Sequence, residues 1–96
     1  MLLYIDTSDN TKTIVGLDKF RLEKPTGVDK SQQVLKLIEQ ILKIHKKTLK
    51  DISEIKVETG PGSFTGLRVG VAVANALAWG LGIKVNNKDR VEPKYD

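Results

Sequence analysis

Short apolar runs broken by polar turns fill the first quarter of the chain, and apolar residues at helical spacing dominate the rest. Leu2-Leu3-Tyr4-Ile5 is a continuous apolar run, the pattern of a strand buried on both faces. Asp6 to Asn10 is turn chemistry. Thr13 to Leu17 is strand-like, Asp18-Lys19 reverses the chain, and Phe20-Arg21-Leu22-Glu23 alternates as a half-exposed strand does. The three runs predict an antiparallel meander. After the loop Lys24–Gly27, Ser31 offers a helix N-cap, and Val34, Leu35, Ile38, Ile41 and Leu42 recur at helical spacing as far as Lys46 and Lys47. A short strand follows at Ile55–Glu58. A glycine-rich turn then opens a second helix that Gly80 and Gly82 end, and Ile83–Val85 is a last strand. The order is β-β-β-α-β-α-β, with the later, helix-linked strands expected to run parallel. This is an α/β chain with one domain at residues 1–85, followed by a polar segment, Asn86–Asp96, expected to fray.

The second helix is apolar almost all the way round. From Leu67 to Leu81 only Arg68 and Asn75 are strongly polar. A helix without a polar face has to be covered on every side, and 96 residues supply little cover. Gly66, Gly70, Ala74 and Ala78 recur every four positions and form a ridge of small residues that lets another element come close. Interior glycines destabilise a helix by roughly 1 kcal/mol each, so close packing must offset them. Either the first helix or a second molecule fills that groove, and the extra width that Leu37 and Ile44 give the first helix favours a partner. Val69–Leu81, the longest apolar stretch, contains Asn75 and is too short to span a bilayer.

Composition narrows the function classes. Sixteen basic and twelve acidic residues give +4, compatible with an RNA-facing surface but far from a dense basic stripe. The lysines of the first helix read as a solvated face, and five aromatic residues make no stacking platform. No cysteine is present, so disulfides, thiolate zinc sites and thiol nucleophiles are excluded. The N-terminal run lacks a basic region and is interrupted by Asp6, unlike a signal peptide. The expected location is the cytoplasm.

Two loops carry candidate chemistry. In Gly60-Pro-Gly-Ser-Phe-Thr-Gly-Leu-Arg68, Ser63 or Thr65 can cap the second helix and leave N–H groups that suit an anion. No Lys-Ser or Lys-Thr follows the glycines, so this is not a Walker A loop. Asp6-Thr7-Ser8 ends the first strand, where phosphate-handling folds can hold a metal-bound carboxylate. No second carboxylate is identifiable beside it, which favours turn capping. Asp6, Thr7, Ser8, Gly62 and Ser63 are the candidate phosphate-binding set. His45 stands among lysines with no ligand at metal spacing and reads as a surface residue. No nucleophile–base pair is visible, and no metal or cofactor is implied.

The Gly60–Arg68 motif, continuing through Val69-Gly70-Val71-Ala72 to Gly80, resembles the bacterial TsaB (YeaZ) family of tRNA threonylcarbamoyladenosine biosynthesis. Leu3-Tyr4-Ile5-Asp6-Thr7-Ser8 is similar to that family's first strand, and the resemblance covers about residues 2 to 85, its first lobe only. It implies an actin/Hsp70-like, ribonuclease H-like lobe with a mixed five-stranded sheet. It implies a non-catalytic scaffold that docks on a TsaD-like synthase subunit, or on a second copy of itself as a homodimer, through two helices. A TsaE-like ATPase would join the same assembly, and contact with tRNA would be indirect. The docking residues would be Val34, Leu37, Ile38 and Ile41 on the first helix, and Phe64, Thr65, Gly66, Leu67, Arg68, Gly70, Val71 and Ala74 on the second. The alternatives are a nucleotide-phosphate-binding lobe of an actin-like ATPase or kinase, and a self-associating module with no catalytic partner.

Overall fold

The computed structural model describes residues 1–27 and 29–94. Its elements are β1 (Leu2–Asp6), β2 (Lys12–Leu17), β3 (Phe20–Pro25), α1 (Lys30–Ile44), β4 (Glu54–Val57), α2 (Phe64–Leu81) and β5 (Lys84–Val85), with one 3-10 turn at Leu49–Asp51. The five strands form a single mixed sheet in the order β3-β2-β1-β4-β5. β1, β2 and β3 pair antiparallel, whereas β1–β4 and β4–β5 are parallel. The element order is the one read from the sequence, and the architecture is the mixed five-stranded α/β lobe that the family resemblance implies.

Strand parity decides which side is covered. Leu3 and Ile5 of β1, Val15 and Leu17 of β2, and Ile55 and Val57 of β4 join Val34, Leu37, Ile38, Ile41 and Leu42 of α1 and Val71, Ala74 and Ala78 of α2 in one core. Both helices thus lie on one face. The other face carries Tyr4, Asp6, Arg21, Glu23, Glu54 and Lys56, so β1 is not buried on both sides as its apolar run suggested. Gly16 sits in register between Tyr4 and Arg21. A Cβ there would meet the Arg21 guanidinium, which reaches over Gly16 to lie 4.6 Å from the centre of the Tyr4 ring.

The helix ends refine the sequence reading. Asp29, not Ser31, caps α1: its Oδ1 accepts from the Gln32 N–H at 3.1 Å and from the Ser31 hydroxyl at 2.9 Å. His45 closes the helix and is half-buried, its ring 4.2 Å from that of Phe20. It is therefore a packing residue rather than a free surface one. Ser63 caps α2, and Gly82, in the left-handed conformation, ends it. α2 runs 18 residues, five more than the Val69–Leu81 stretch. It is the one helix among the described residues long and apolar enough to cross a bilayer. Gly66, Leu67, Gly70, Val71, Ala74 and Ala78 are buried within the domain, which makes it a layer of this fold.

From Asn86 to Lys94 the polar segment after β5 is folded back onto the domain. Asn86 and Asn87 both have positive φ, and Val85 and Lys88 exchange two backbone hydrogen bonds of 2.9 Å across them. This is the two-residue reversal that asparagine favours, and it turns the chain back over the domain as far as Lys94. Tyr95 and Asp96 lie outside the described residues.

Candidate functional site

The two glycine- and hydroxyl-bearing loops meet at one end of the sheet. Asp6 ends β1, and its Oδ1 accepts from the Ser8 N–H at 2.9 Å and the Ser8 hydroxyl at 2.6 Å. The Ser63 N–H donates to the Ser8 carbonyl at 2.7 Å, and the Thr7 hydroxyl donates to the Gly66 carbonyl at 2.5 Å. Ser63 Oγ accepts from the Gly66 N–H at 3.4 Å. A Cβ on Gly62 would stand 2.6 Å from the Ser8 carbonyl oxygen. These contacts close one loop against the other. Every side-chain oxygen of Asp6, Thr7, Ser8 and Ser63 has a partner within the chain, so the candidate phosphate set forms a clasp between β1 and α2. Lys30, at the start of α1, donates to the Asp9 carbonyl at 3.1 Å and the Thr7 carbonyl at 3.4 Å. Burial pushes its ammonium down, while Asp9 and Asp6 pull it back up.

A second carboxylate does stand near Asp6. The Tyr4 hydroxyl reaches Glu58 Oε1 at 3.1 Å and Asp6 Oδ2 at 3.4 Å. Burial, then the charges of Asp6 and Glu58, hold its phenol well above the usual tyrosine range. Register was the signal that could have found Glu58: Ile5 pairs with Val57, so the next residues along the two parallel strands are neighbours. Among the described residues no group of three or more His, Cys, Asp or Glu could hold a metal ion.

Most of the expected docking residues turn out to be core. Val34, Leu37, Ile38 and Ile41 are at most 4% exposed and hold α1 to the sheet. Gly66, Leu67, Gly70, Val71 and Ala74 are buried as well. The small-residue ridge faces β1, not a partner helix: a Cβ on Gly66 would overlap the Thr7 carbonyl, and one on Gly70 the Thr7 hydroxyl. In this structure these nine residues are buried within the domain and offer little surface to a partner. Phe64, Thr65 and Arg68 alone remain exposed from that set.

The side of α2 opposite the ridge adds Ala72, Ala76 and Trp79, which sequence reasoning missed, to Phe64 and Arg68. Phe64, Arg68, Ala72, Ala76 and Trp79 form an exposed stripe, with Trp79 87% and Phe64 56% accessible. Arg68 is the only charged side chain of α2, its guanidinium 5.8 Å from the centre of the Phe64 ring. Between the helices, Leu35, Ile38, Glu39, Leu42, Leu49 and Leu77 line a mainly apolar hollow of about 290 Å³, and Leu35 is 51% exposed. The ridge itself was the available clue: residues turn about 100° along a helix, so glycines packed on a backbone put Ala72, Ala76 and Trp79 on the far side.

Residues 25–87 match a family model described as "TsaD: tRNA N6-adenosine threonylcarbamoyltransferase". The "tRNA threonylcarbamoyladenosine biosynthesis protein TsaB" of Bacillus subtilis is 36% identical over 95% of the chain and 42% of that protein. The "tRNA N6-adenosine threonylcarbamoyltransferase" of Vesicomyosocius okutanii is 47% identical over 57% of the chain and 16% of its own length. Among solved structures, YeaZ from Pseudomonas aeruginosa superposes with a TM-score of 0.74 at 26% identity, over 88% of the chain and 41% of that protein. The chain thus spans about two fifths of the TsaB and YeaZ relatives it matches.

Proposed function

The chain belongs to the TsaD family, on its TsaB (YeaZ) branch, and from that premise we propose that it is a non-catalytic docking subunit in tRNA threonylcarbamoyladenosine synthesis. It binds a TsaD-type subunit in the cytoplasm through the solvent side of α1 and α2, and two copies pair through the same side when that partner is absent. A TsaE-type ATPase joins through the assembly, and tRNA is met by the partner rather than by this chain. The single observation that carries the reading is the exposed apolar stripe Phe64-Ala72-Ala76-Trp79, bordered by Leu35 and Leu77. Exposed aromatic and aliphatic side chains gathered on one helix layer are the usual mark of a protein interface. Arg68, with no carboxylate at ion-pair distance among the described residues, supplies a polar contact to a partner carboxylate. The clasp between Ser8 and Ser63 supports docking over the phosphate-binding alternative, because the Ser8 hydroxyl and the Ser63 and Gly66 N–H groups are already donating within the chain.

Calorimetric titration against a TsaD-type subunit tests this. Trp79→Glu and Leu35→Glu should each weaken binding at least about tenfold, as interface aromatic anchors do. Lys56→Glu, on the open face of the sheet, should leave it unchanged. Equal affinity for all three variants and the parent would remove the docking face from the helix layer.

A further inference from the structure

Nothing in the docking reading explains why the polar segment after β5 is anchored at all. Besides the Asn86 N–H, which donates to the Ile55 carbonyl at 2.8 Å, and an exposed ion pair of Asp89 with Lys84, three attachments hold it. Asn86 extends the sheet with its side chain, accepting from the Val57 N–H at 2.9 Å and donating to the Val57 carbonyl at 3.0 Å. Asn75, the one strongly polar residue within the apolar stretch of α2, does the same to the strap: it accepts from the Val91 N–H at 2.9 Å and donates to the Val91 carbonyl at 2.8 Å. The Lys94 N–H then reaches the Thr59 carbonyl at 2.6 Å. Val91 is buried in the core, while Lys88, Asp89, Arg90 and Glu92 around it are exposed. The strap lies beside the exposed stripe. Arg90, Glu92 and Pro93 form one wall, and Phe64, Arg68 and Ala72 the other, of a hollow of about 460 Å³. Val91 is the strap's one apolar anchor and its amide bonds are part-buried, so it has far fewer buried apolar contacts than the sheet and helices, and such a segment opens locally before they do.

We propose that residues Asn86–Lys94 are an autoinhibitory latch on α2. Closed, the latch covers the Val71–Asn75 flank and leaves a partner only the stripe from Phe64 to Trp79. Open, it hands that flank to the partner and widens the apolar face. The open state binds more tightly than the closed one, so the closed population lowers the apparent affinity. The proposal rests on the docking reading.

The test uses the whole chain with Asn75→Ala, and Val91→Ser as a second variant that leaves the sequence of α2 intact. Trypsin cleavage after Arg90 reads the latch directly, since a protease needs the strap detached. Both variants should be cut there about tenfold faster than the parent, with cleavage after Lys43 and Lys46 unchanged. Titration against a TsaD-type subunit should give about fivefold tighter binding for both, the lower range of allosteric coupling. Unchanged cleavage after Arg90 in both variants would overturn the clamp. Faster cleavage with unchanged or weaker binding would overturn the inhibition and leave a purely structural strap. Absence of binding by the parent and both variants would overturn the docking reading, and this proposal with it.

Discussion

Gly70→Ala separates the two meanings a ridge of small residues can have. In an exposed helix the change is stabilising by about 1 kcal/mol, because alanine is the better helix former. Here the new Cβ would overlap Thr7 Oγ1 and come within 3.3 Å of its Cβ and Cγ2. Thr7 is fully buried, and its hydroxyl is bonded to the Gly66 carbonyl, so it cannot rotate away without stranding a polar group. Overpacking a filled site costs about 1–3 kcal/mol, and an unpaired buried hydroxyl about as much again. Set against the gain in propensity, the net loss is about 3 kcal/mol. In a domain of this size that lowers Tm by roughly 12–24 °C.

The same substitution in a Thr7→Ala background should change sign. With the hydroxyl and methyl gone, the alanine methyl has room, and the propensity gain of about 1 kcal/mol re-emerges. Urea unfolding followed by circular dichroism, on the parent, both single variants and the double variant, gives the coupling directly. A Gly70→Ala protein as stable as the parent would refute the reasoning. It would mean that α2 stands off from β1, that the ridge is free for a partner, and that the exposed and buried sides of the helix have been assigned the wrong way round.

Three further outcomes follow from the same contacts. Trp79, the only tryptophan, should emit like a free indole and be readily quenched by acrylamide, then shift to shorter wavelength and become protected when a TsaD-type subunit is added; no change on saturation would exclude Trp79 from the interface. Asp29 and Asp9 are held below the usual carboxylate range, Asp29 first by the Gln32 N–H and Asp9 first by the Thr11 hydroxyl. Depressed native values mean stability that is full above the unfolded carboxylate range and lost as pH falls through it, so Asp29→Asn should flatten the acid limb of urea midpoints measured from neutrality downwards while α1 stays formed. Glu58→Gln should let the Tyr4 phenol ionise at lower pH by ultraviolet titration, though still above an ordinary tyrosine, because burial is the larger cause.

The order of elements was legible from local pattern: β-branched residues in β2, alternation in β3, helical spacing in α1 and a capped apolar run in α2. The strand directions followed from linkage, short turns giving antiparallel neighbours and helices giving parallel ones. Periodicity failed where the question was which neighbour a face meets. The Gly66–Ala78 spacing says that something comes close, and a β-strand backbone at Thr7 satisfies it as well as a partner helix does. Of the two residues read as extra apolar width on α1, Leu37 is absorbed by the core with β1, β2 and β4, whereas Ile44 stays exposed. Asn75 and Asn86 carry no periodic signal. Each side-chain amide copies the donor–acceptor pair of a peptide and serves a backbone 16 or 29 residues away. The one available hint was Asn86-Asn87 directly after a strand, a dipeptide that tolerates the left-handed conformation at both positions.

Those two asparagines also bear on how the docking face is defined. An apolar helix side chain at position 75 would pack on the strap through dispersion alone and tolerate sliding. The two-point amide fixes Val91 in one register, so the strap has a closed state of definite geometry rather than a loose association. A definite closed state bounds the exposed stripe on one side as firmly as the α1–α2 hollow does on the other. The interface is then set as much by what the chain does to its own helix as by the residues left in solvent. Variants at Asn75 or Val91, which loosen the strap and leave the exposed stripe intact, should therefore move binding in the opposite direction from variants at Trp79 or Leu35.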